Sequence, residues 1–114
     1  MNKNCIFCKI AIIKAASNKI YEDENVFSIR DINPQAPVHI LIIPKKHISW
    51  PNVNPEDEYI FGHIQIIALK MAKQFYEMKN GFRIIGNCGV DGGQTIFHIH
   101  YHLLGGRLFT WPPG

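Results

Sequence analysis

Three histidines at strict two-residue spacing, His98, His100 and His102, stand near the C-terminus in Thr95-Ile96-Phe97-His98-Ile99-His100-Tyr101-His102-Leu103-Leu104-Gly105-Gly106-Arg107. They are half of the six histidines in the chain. β-Branched or large apolar residues separate them, and the glycine pairs Gly92-Gly93 and Gly105-Gly106 bound the stretch, a pattern that predicts a strand. Successive side chains on a strand point to opposite faces. The three imidazoles therefore share one face, and Phe97, Ile99, Tyr101 and Leu103 form the other, which is the core side.

Imidazoles grouped in this way admit three readings. They can occupy a solvated sheet face with no chemical role, or ligate a metal, or act as nucleophile and acid–base groups. Same-face neighbours on a strand lie roughly 6–7 Å apart at Cβ, whereas zinc ligands converge to bonds of about 2 Å. Two of the three could meet a metal together with other ligands, but all three on one ion would strain the strand. Catalysis suits imidazole because its unperturbed pKa of about 6.5 lies near neutrality. The approach to the stretch is rich in glycine, at Gly89, Gly92 and Gly93. Closely spaced glycines let backbone N–H groups converge on an anion, and Asn87, Gln94 and Thr95 add neutral donors, which tilts the reading toward a phosphorus substrate.

The elements that must position these groups are legible along the chain. Apolar residues at three- and four-residue intervals predict a short helix over residues 5–16, with Cys5 and Cys8 on one of its faces. Residues 19–22 and 26–30 flank a turn at Asp23-Glu24-Asn25 and predict a β-hairpin. Pro34 and Pro37 make residues 31–37 a loop, and the β-prone run 38–43 follows. A long helix is expected over residues 55–79: Asn54 caps it, Pro55 opens it, and Asn80-Gly81 supplies its exit. Ile60, Ile64, Ile67, Met71 and Phe75 give it a buried stripe, with His63 on its surface. A strand at 82–86 precedes the histidine stretch. The order α, β, β, β, α, β, β with hairpin-like connections implies an α+β domain on a mostly antiparallel sheet.

The 114 residues, 46% of them hydrophobic, suffice for one domain with a real core, spanning residues 1–114. No apolar run reaches membrane-spanning length, and the N-terminus lacks the long apolar core of a secretory signal, so an intracellular, cytoplasmic protein is expected. The net charge of +3 is dispersed, with no basic block and no nucleic-acid motif, which fits a small anionic ligand better than a duplex. Of the three cysteines, Cys5 and Cys8 form a C-x-x-C pair, which in a reducing compartment argues for a metal or redox role before a disulfide. Cys88 reads as an isolated buried thiol.

The stretch His98-Ile99-His100-Tyr101-His102-Leu103-Leu104 resembles the signature of the histidine triad (HIT) superfamily. The flanks resemble its Hint branch, the histidine triad nucleotide-binding proteins: Asp31-Ile32-Asn33-Pro34-Gln35-Ala36-Pro37, Ile43-Pro44-Lys45-Lys46-His47-Ile48, Asp91-Gly92-Gly93-Gln94, Leu104-Gly105-Gly106-Arg107 and Trp111-Pro112-Pro113-Gly114. Together these motifs span almost the whole chain. The resemblance implies a five-stranded HIT-like sheet with a short and a long helix, continued across a homodimer through the long helix and the strand at 82–86.

It also implies a purine nucleoside phosphoramidase that cleaves the P–N bond of adenosine 5′-phosphoramidates. His100 would attack the α-phosphorus to form a nucleotidyl-histidine, and His102 would donate to the phosphate oxygens. Asp31 would accept from the ribose hydroxyls, and Asn87 and Thr95 would hold the phosphate or leaving group. Ile6, Phe7, Ile10, Ile29 and Ile32 would wall the base. The tail, residues 108–114 with Trp111, would reach the other subunit's active site. A nucleotide-binding regulatory protein and a dinucleoside polyphosphate hydrolase are the alternatives. Thr95 stands where the Hint pattern usually has serine and Ile29 where an aromatic often sits, so base stacking and leaving-group preference are open to change. The C-x-x-C pair resembles zinc-binding members of the superfamily, implying a closed structural zinc site made of Cys5, Cys8, His47 and His98.

Overall fold

The computed structural model describes residues 4–13 and 18–114. Five strands, β1 (Lys19–Glu22), β2 (Val26–Arg30), β3 (Val38–Pro44), β4 (Phe82–Gly86) and β5 (Tyr101–Gly105), form one sheet in the order β1-β2-β3-β5-β4. Every neighbouring pair is antiparallel, in keeping with the α+β architecture expected. Two α-helices accompany the sheet, α1 (Ile6–Ala11) and α2 (Glu58–Ala72).

Both sheet faces are covered around β3, which is buried along its whole length. Val38, Ile40 and Ile42 pack with Ile60, Ile64, Ile67 and Met71 of α2 in the larger core. Leu41 and Ile43 point the other way and join Phe27 and Ile29 of β2 with Phe7 and Cys8 of α1. A strand buried on both faces reads as a continuous apolar run, and β3 does so except at His39.

The β1–β2 turn is organised by Asp23. Its Oδ1 accepts from the backbone N–H groups of Asn25 and Val26 at 2.8 and 2.9 Å. Its Oδ2 lies 2.7 Å from the Tyr21 hydroxyl and 2.6 Å from His63 Nε2. Burial alone would raise the Asp23 carboxyl, but these hydrogen bonds hold it well below the usual carboxylate range. His63 is thus half-buried and ties α2 to the hairpin, where the sequence placed it on the surface.

The long helix is shorter than its periodicity predicts. Asn54 and Asp57 form a capping box around a 3-10 turn at Pro55–Asp57, and α2 then runs to Ala72. Gln74 already bonds back three residues, to the Met71 carbonyl at 2.9 Å, and Phe75 is extended at φ −109° and ψ 116°. Leaving the helix lets the Phe75 ring pack on the core and seats Met78, 3% exposed, in a second 3-10 turn, Tyr76–Met78. Met78 lies against Gly105, where a Cβ would overlap its side chain. Tertiary packing overrides helical periodicity here.

The N-terminal helix is also shorter than residues 5–16. Cys5 precedes it as the N-cap, its Sγ 3.5 Å from the Cys8 N–H, and residues 14–17 lie outside the described residues.

The largest departure concerns the histidine stretch, which is a strand only from Tyr101 onward. Residues 87–100 form turns and irregular chain. Ile99 N–H bonds to the Ile48 carbonyl at 2.8 Å instead of to a ladder partner. The alternation nevertheless holds at Ile99 and Leu103, both fully buried in the α2-side core, and fails at Phe97, which is 58% exposed.

After β5 the chain turns at Gly106 and lies beside β4. Arg83 Nη2 donates to the Thr110 carbonyl at 3.0 Å, and the Arg83 and Arg107 guanidinium groups sit over the Phe109 ring. Leu108 and Trp111 stay exposed. No helix among the described residues is long and apolar enough to cross a membrane.

Candidate active site and metal centre

On the α1 side of the sheet a cavity of about 570 Å³ opens between α1, the ends of β2 and β3, and residues 93–102. Its walls bring together the catalytic and substrate-binding residues that the sequence singled out, Trp111 excepted. Ile6, Phe7, Ile10, Ile29 and Ile32 form an apolar end with Asp31 beside it, and Asn87, Thr95, His100 and His102 form the polar end. Such a volume, apolar with a few convergent polar groups, is that of a small-molecule site. Trp111 is not among its residues. The tail keeps it 81% exposed beside β4, so within one chain it does not reach the cavity.

His98 is fully buried and does not line the cavity. Its Nε2 lies 2.7 Å from the Pro44 carbonyl, to which it must donate. The unprotonated Nδ1 then faces Cys5 Sγ at 3.3 Å, Cys8 Sγ at 3.6 Å and His47 Nδ1 at 3.1 Å. His47 Nδ1 is in turn 3.2 Å from Cys8 Sγ. Bond lengths of about 2.0–2.3 Å around tetrahedral zinc set donor–donor edges of roughly 3.3–3.8 Å, close to this spacing. All four ligand atoms lie within 4.8 Å of one another, so the cluster is able to hold a metal. Two thiols and two imidazoles suit a tetrahedral ion, and the carbonyl bond behind His98 is the outer support such ligands usually have. Burial, opposed by the Pro44 bond and helped by the neighbouring His47 and His100, pushes the His98 imidazole down to about 4, so the ring is neutral and ready to ligate.

His100 follows two residues later, 7% exposed. Its Nδ1 is 2.8 Å from the His98 carbonyl and donates to it, which leaves Nε2 with a free lone pair. Phe7 packs edge-on against the ring at 5.0 Å and limits its rotation. An imidazole oriented in this way is able to act as a nucleophile.

His102, on β5, meets a partner the sequence reading missed. His39 Nε2 is 2.8 Å from His102 Nδ1, and His39 Nδ1 accepts from the Gln35 N–H at 3.0 Å. Since that Nδ1 accepts, the His39 proton is on Nε2 and points to His102 Nδ1, so His102 carries its own proton on Nε2. The Asp31 carboxylate stands 3.4 Å from His39 Nε2 and favours the same arrangement. The result is a directed chain, Gln35 N–H to His39 to His102, that ends in an N–H donor at the cavity. Asn87 Nδ2 sits 3.5 Å from that Nε2; with the proton on Nε2 both are donors, so they do not bond each other and stand side by side at the polar end for an acceptor. Burial lowers His39 against the opposing Asp31 charge, and it lowers His102 to about 4 with His100 and His39 adding to the effect. The signal for His39 was present in the sequence as the one polar residue within the apolar run 38–43.

The glycine-rich turn acts differently from the expected anion cradle. Gly93 and Gln94 N–H groups bond to the Val90 and Gly89 carbonyls, both at 3.0 Å, and Gly89 N–H bonds to Gln94 Oε1. With these donors used inside the turn, it serves to hold Gln94 and Thr95 at the cavity wall. Gly89 and Gly93, at φ 71° and 77°, occupy the left-handed region that the turn requires. Cys88, read as a buried thiol, is exposed.

An antiparallel five-stranded sheet that presents this imidazole array is the arrangement of the histidine triad class of proteins, here with a Cys₂His₂ cluster beside it. Residues 13–108 match the HIT domain, and the chain belongs to that family. It is 46% identical to the 14 kDa zinc-binding protein of Zea mays, over 96% of this chain and 87% of the maize protein. The crystal structure of a HIT family hydrolase from Legionella pneumophila overlays with a TM-score of 0.90 at 48% identity, covering 97% of this chain and all of that one. A Zn-bound histidine triad family protein from Mycobacterium smegmatis overlays at 0.77 with 32% identity, covering 97% and 80% of the two chains.

The depressed His102 sets a pH dependence. An unfolded histidine takes up its proton near 6.5 and His102 only near 4, so the unfolded chain binds more protons between these values. Stability is therefore full above about 6.5 and is lost as pH falls toward 4. Melting temperature of chelator-treated protein should drop across this interval, where His98 contributes in the same sense, and H102Q should make the profile shallower without abolishing it. An equally steep profile in H102Q would contradict the assignment.

Proposed function

We propose that the protein is a purine nucleoside phosphoramidase that hydrolyses adenosine 5′-phosphoramidates. The observation that carries this reading is the His100 ring, which lines the cavity and whose Nδ1 donates to the His98 carbonyl at 2.8 Å, so that the lone pair of the neutral form lies on Nε2. His100 Nε2 attacks the α-phosphorus, the P–N bond breaks, and the amine leaves with the electron pair and takes a proton from solvent, which the hydrolytic step returns. Water then attacks the nucleotidyl-histidine, releasing AMP and restoring neutral imidazole. Splitting the displacement in this way replaces one difficult step with two easier ones.

His102 donates its Nε2–H to a non-bridging phosphate oxygen, where negative charge develops. Asn87 and Thr95 hold the phosphate and the leaving group. Asp31 accepts from the ribose hydroxyls, and the apolar residues from Ile6 to Ile32 enclose the base. The same pocket would serve a regulatory nucleotide-binding protein, and diadenosine polyphosphates are the competing substrates. The test is turnover of an AMP–amine conjugate beside a diadenosine polyphosphate. The conjugate should be cleaved faster, H100A should lower turnover by at least about 10³-fold, and an acid-labile adenylylated protein should be trapped from the wild type alone. Unchanged turnover in H100A sinks the nucleophile assignment.

We further propose that Cys5, Cys8, His47 and His98 hold one structural zinc. When bound, the ion cross-links the start of α1 to the segment after β3 and to the histidine stretch, and four protein ligands leave it no open position for substrate. The thiol ligands suit a reducing compartment such as the cytoplasm. Protein purified without added metal should contain about one equivalent of zinc per chain, and C5S/C8S should contain none. A metal-free wild type would refute the site.

The remaining proposal is a two-fold homodimer. The β4 edge is unpaired within the chain, and Ile66 and Leu69 of α2 together with Leu108 and Trp111 of the tail are large apolar groups left exposed. Joining two copies along β4 and α2 would cover them and bring each Trp111 toward the other copy's cavity. Sedimentation equilibrium should return twice the 13.1 kDa chain mass, and a concentration-independent monomer would exclude the arrangement.

A further inference from the structure

Trp50 has no place in the chemistry described so far, yet it touches the polar end of the cavity from behind. It opens a 3-10 turn, Trp50–Asn52, three residues after the ligand His47. Its indole Nε1–H donates to the Asn87 carbonyl at 2.9 Å. The ring is stacked on Phe61 of α2, with centroids 5.7 Å apart and planes 28° from parallel, and meets Tyr101 of β5 edge-on at 6.2 Å. It is therefore fixed by the large core on one side and by the strand that carries His102 on the other.

Asn87 is held at both ends by this group. Its N-terminal neighbour Gly86 lies under the Tyr101 ring so closely that a Cβ there would stand 2.7 Å from Tyr101 Cε2. Its own carbonyl is held by Trp50. With the backbone clamped on both sides of its Cα, the Cβ direction of Asn87 is set, and its carboxamide arrives 3.5 Å from His102 Nε2. Asn87 otherwise begins the irregular segment 87–100, whose dihedral angles no sheet ladder fixes.

We propose that Trp50 is a positioning residue for the transfer reaction: its indole N–H, by holding the Asn87 carbonyl, places the Asn87 side chain opposite His102. This rests on the phosphoramidase reading of the cavity. A buried indole N–H usually finds some acceptor, so the bond taken alone would be ordinary packing. What distinguishes a positioning role is that the bond must act through Asn87 and through nothing else.

Benzothienylalanine, which keeps the bicyclic shape and replaces N–H by sulfur, placed at position 50 deletes the donor alone. W50F serves as the second variant, since it keeps an aromatic ring in contact with Phe61. A neutral hydrogen bond is worth about 1 kcal/mol, so kcat on an adenosine phosphoramidate should fall by about five- to tenfold with KM within about twofold. In the N87A background the same replacement should change kcat by less than about twofold, because the group it orients is already absent.

An equal loss in both backgrounds overturns the proposal, as does no loss in either. A reading independent of turnover is the Asn87 side-chain amide resonance, assigned by its disappearance in N87A. In substrate-free protein it should shift when the indole N–H is deleted. An unshifted resonance overturns the placement, whereas a shift in protein that cleaves no phosphoramidate retains the placement and rejects the activity.

Discussion

Both ring nitrogens and the main-chain carbonyl of His98 are committed, and the site depends on that residue. Its Nε2 is bound to the Pro44 carbonyl, its Nδ1 faces the two thiols and His47, and its main-chain carbonyl receives the His100 proton. Buried without such partners it would be costly, since an unpaired polar group in a core loses hydration without replacement. With them, one residue fixes both the geometry of the cluster and the tautomer of His100. A ring that rotated at His98 would break the cluster.

The three triad histidines are chemically distinct for the same reason. Identical side chains in alternating positions differ only in what faces their nitrogens, and each receives a different hydrogen-bond partner from a different part of the chain. His98 meets the C-terminal end of β3, His100 meets main chain two residues back, and His102 meets His39 across the sheet. Low polarity keeps His98 and His102 neutral, and the direction of each hydrogen bond then decides which nitrogen is donor and which is acceptor. His98 and His102 carry their proton on Nε2 and His100 on Nδ1, so two tautomers in three different surroundings make the three rings chemically distinct.

Residues 44–50 act as a splint along the back of this arrangement. Pro44 holds the His98 ring, His47 joins the cluster, Ile48 holds the Ile99 amide, and Trp50 holds the Asn87 carbonyl. The irregular segment 87–100, which lacks ladder bonds, takes its shape from these contacts. That division lets the pocket be lined by loop residues that strand geometry could not place, while β3 and the α2 core supply rigidity.

The sequence by itself determined what is local. The hairpin around Asp23, the apolar run of β3, the buried stripe from Ile60 to Met71 and the histidine spacing all follow from patterns repeated every two to four residues. The family motifs along the chain marked most of the cavity wall and all four residues of the cluster. The tertiary structure decided the rest, because the deciding partners are far apart in the chain. Cys5 and His98 are 93 residues apart, His39 and His102 are 63 apart, and Trp50 and Asn87 are 37 apart. The early end of α2, the late start of β5 and the role of His39 were set by where Phe75, Ile99 and β5 found space and partners in the folded sheet. A repeat of two or of 3.6 fixes which face a side chain takes; sheet register and loop packing fix what it meets there.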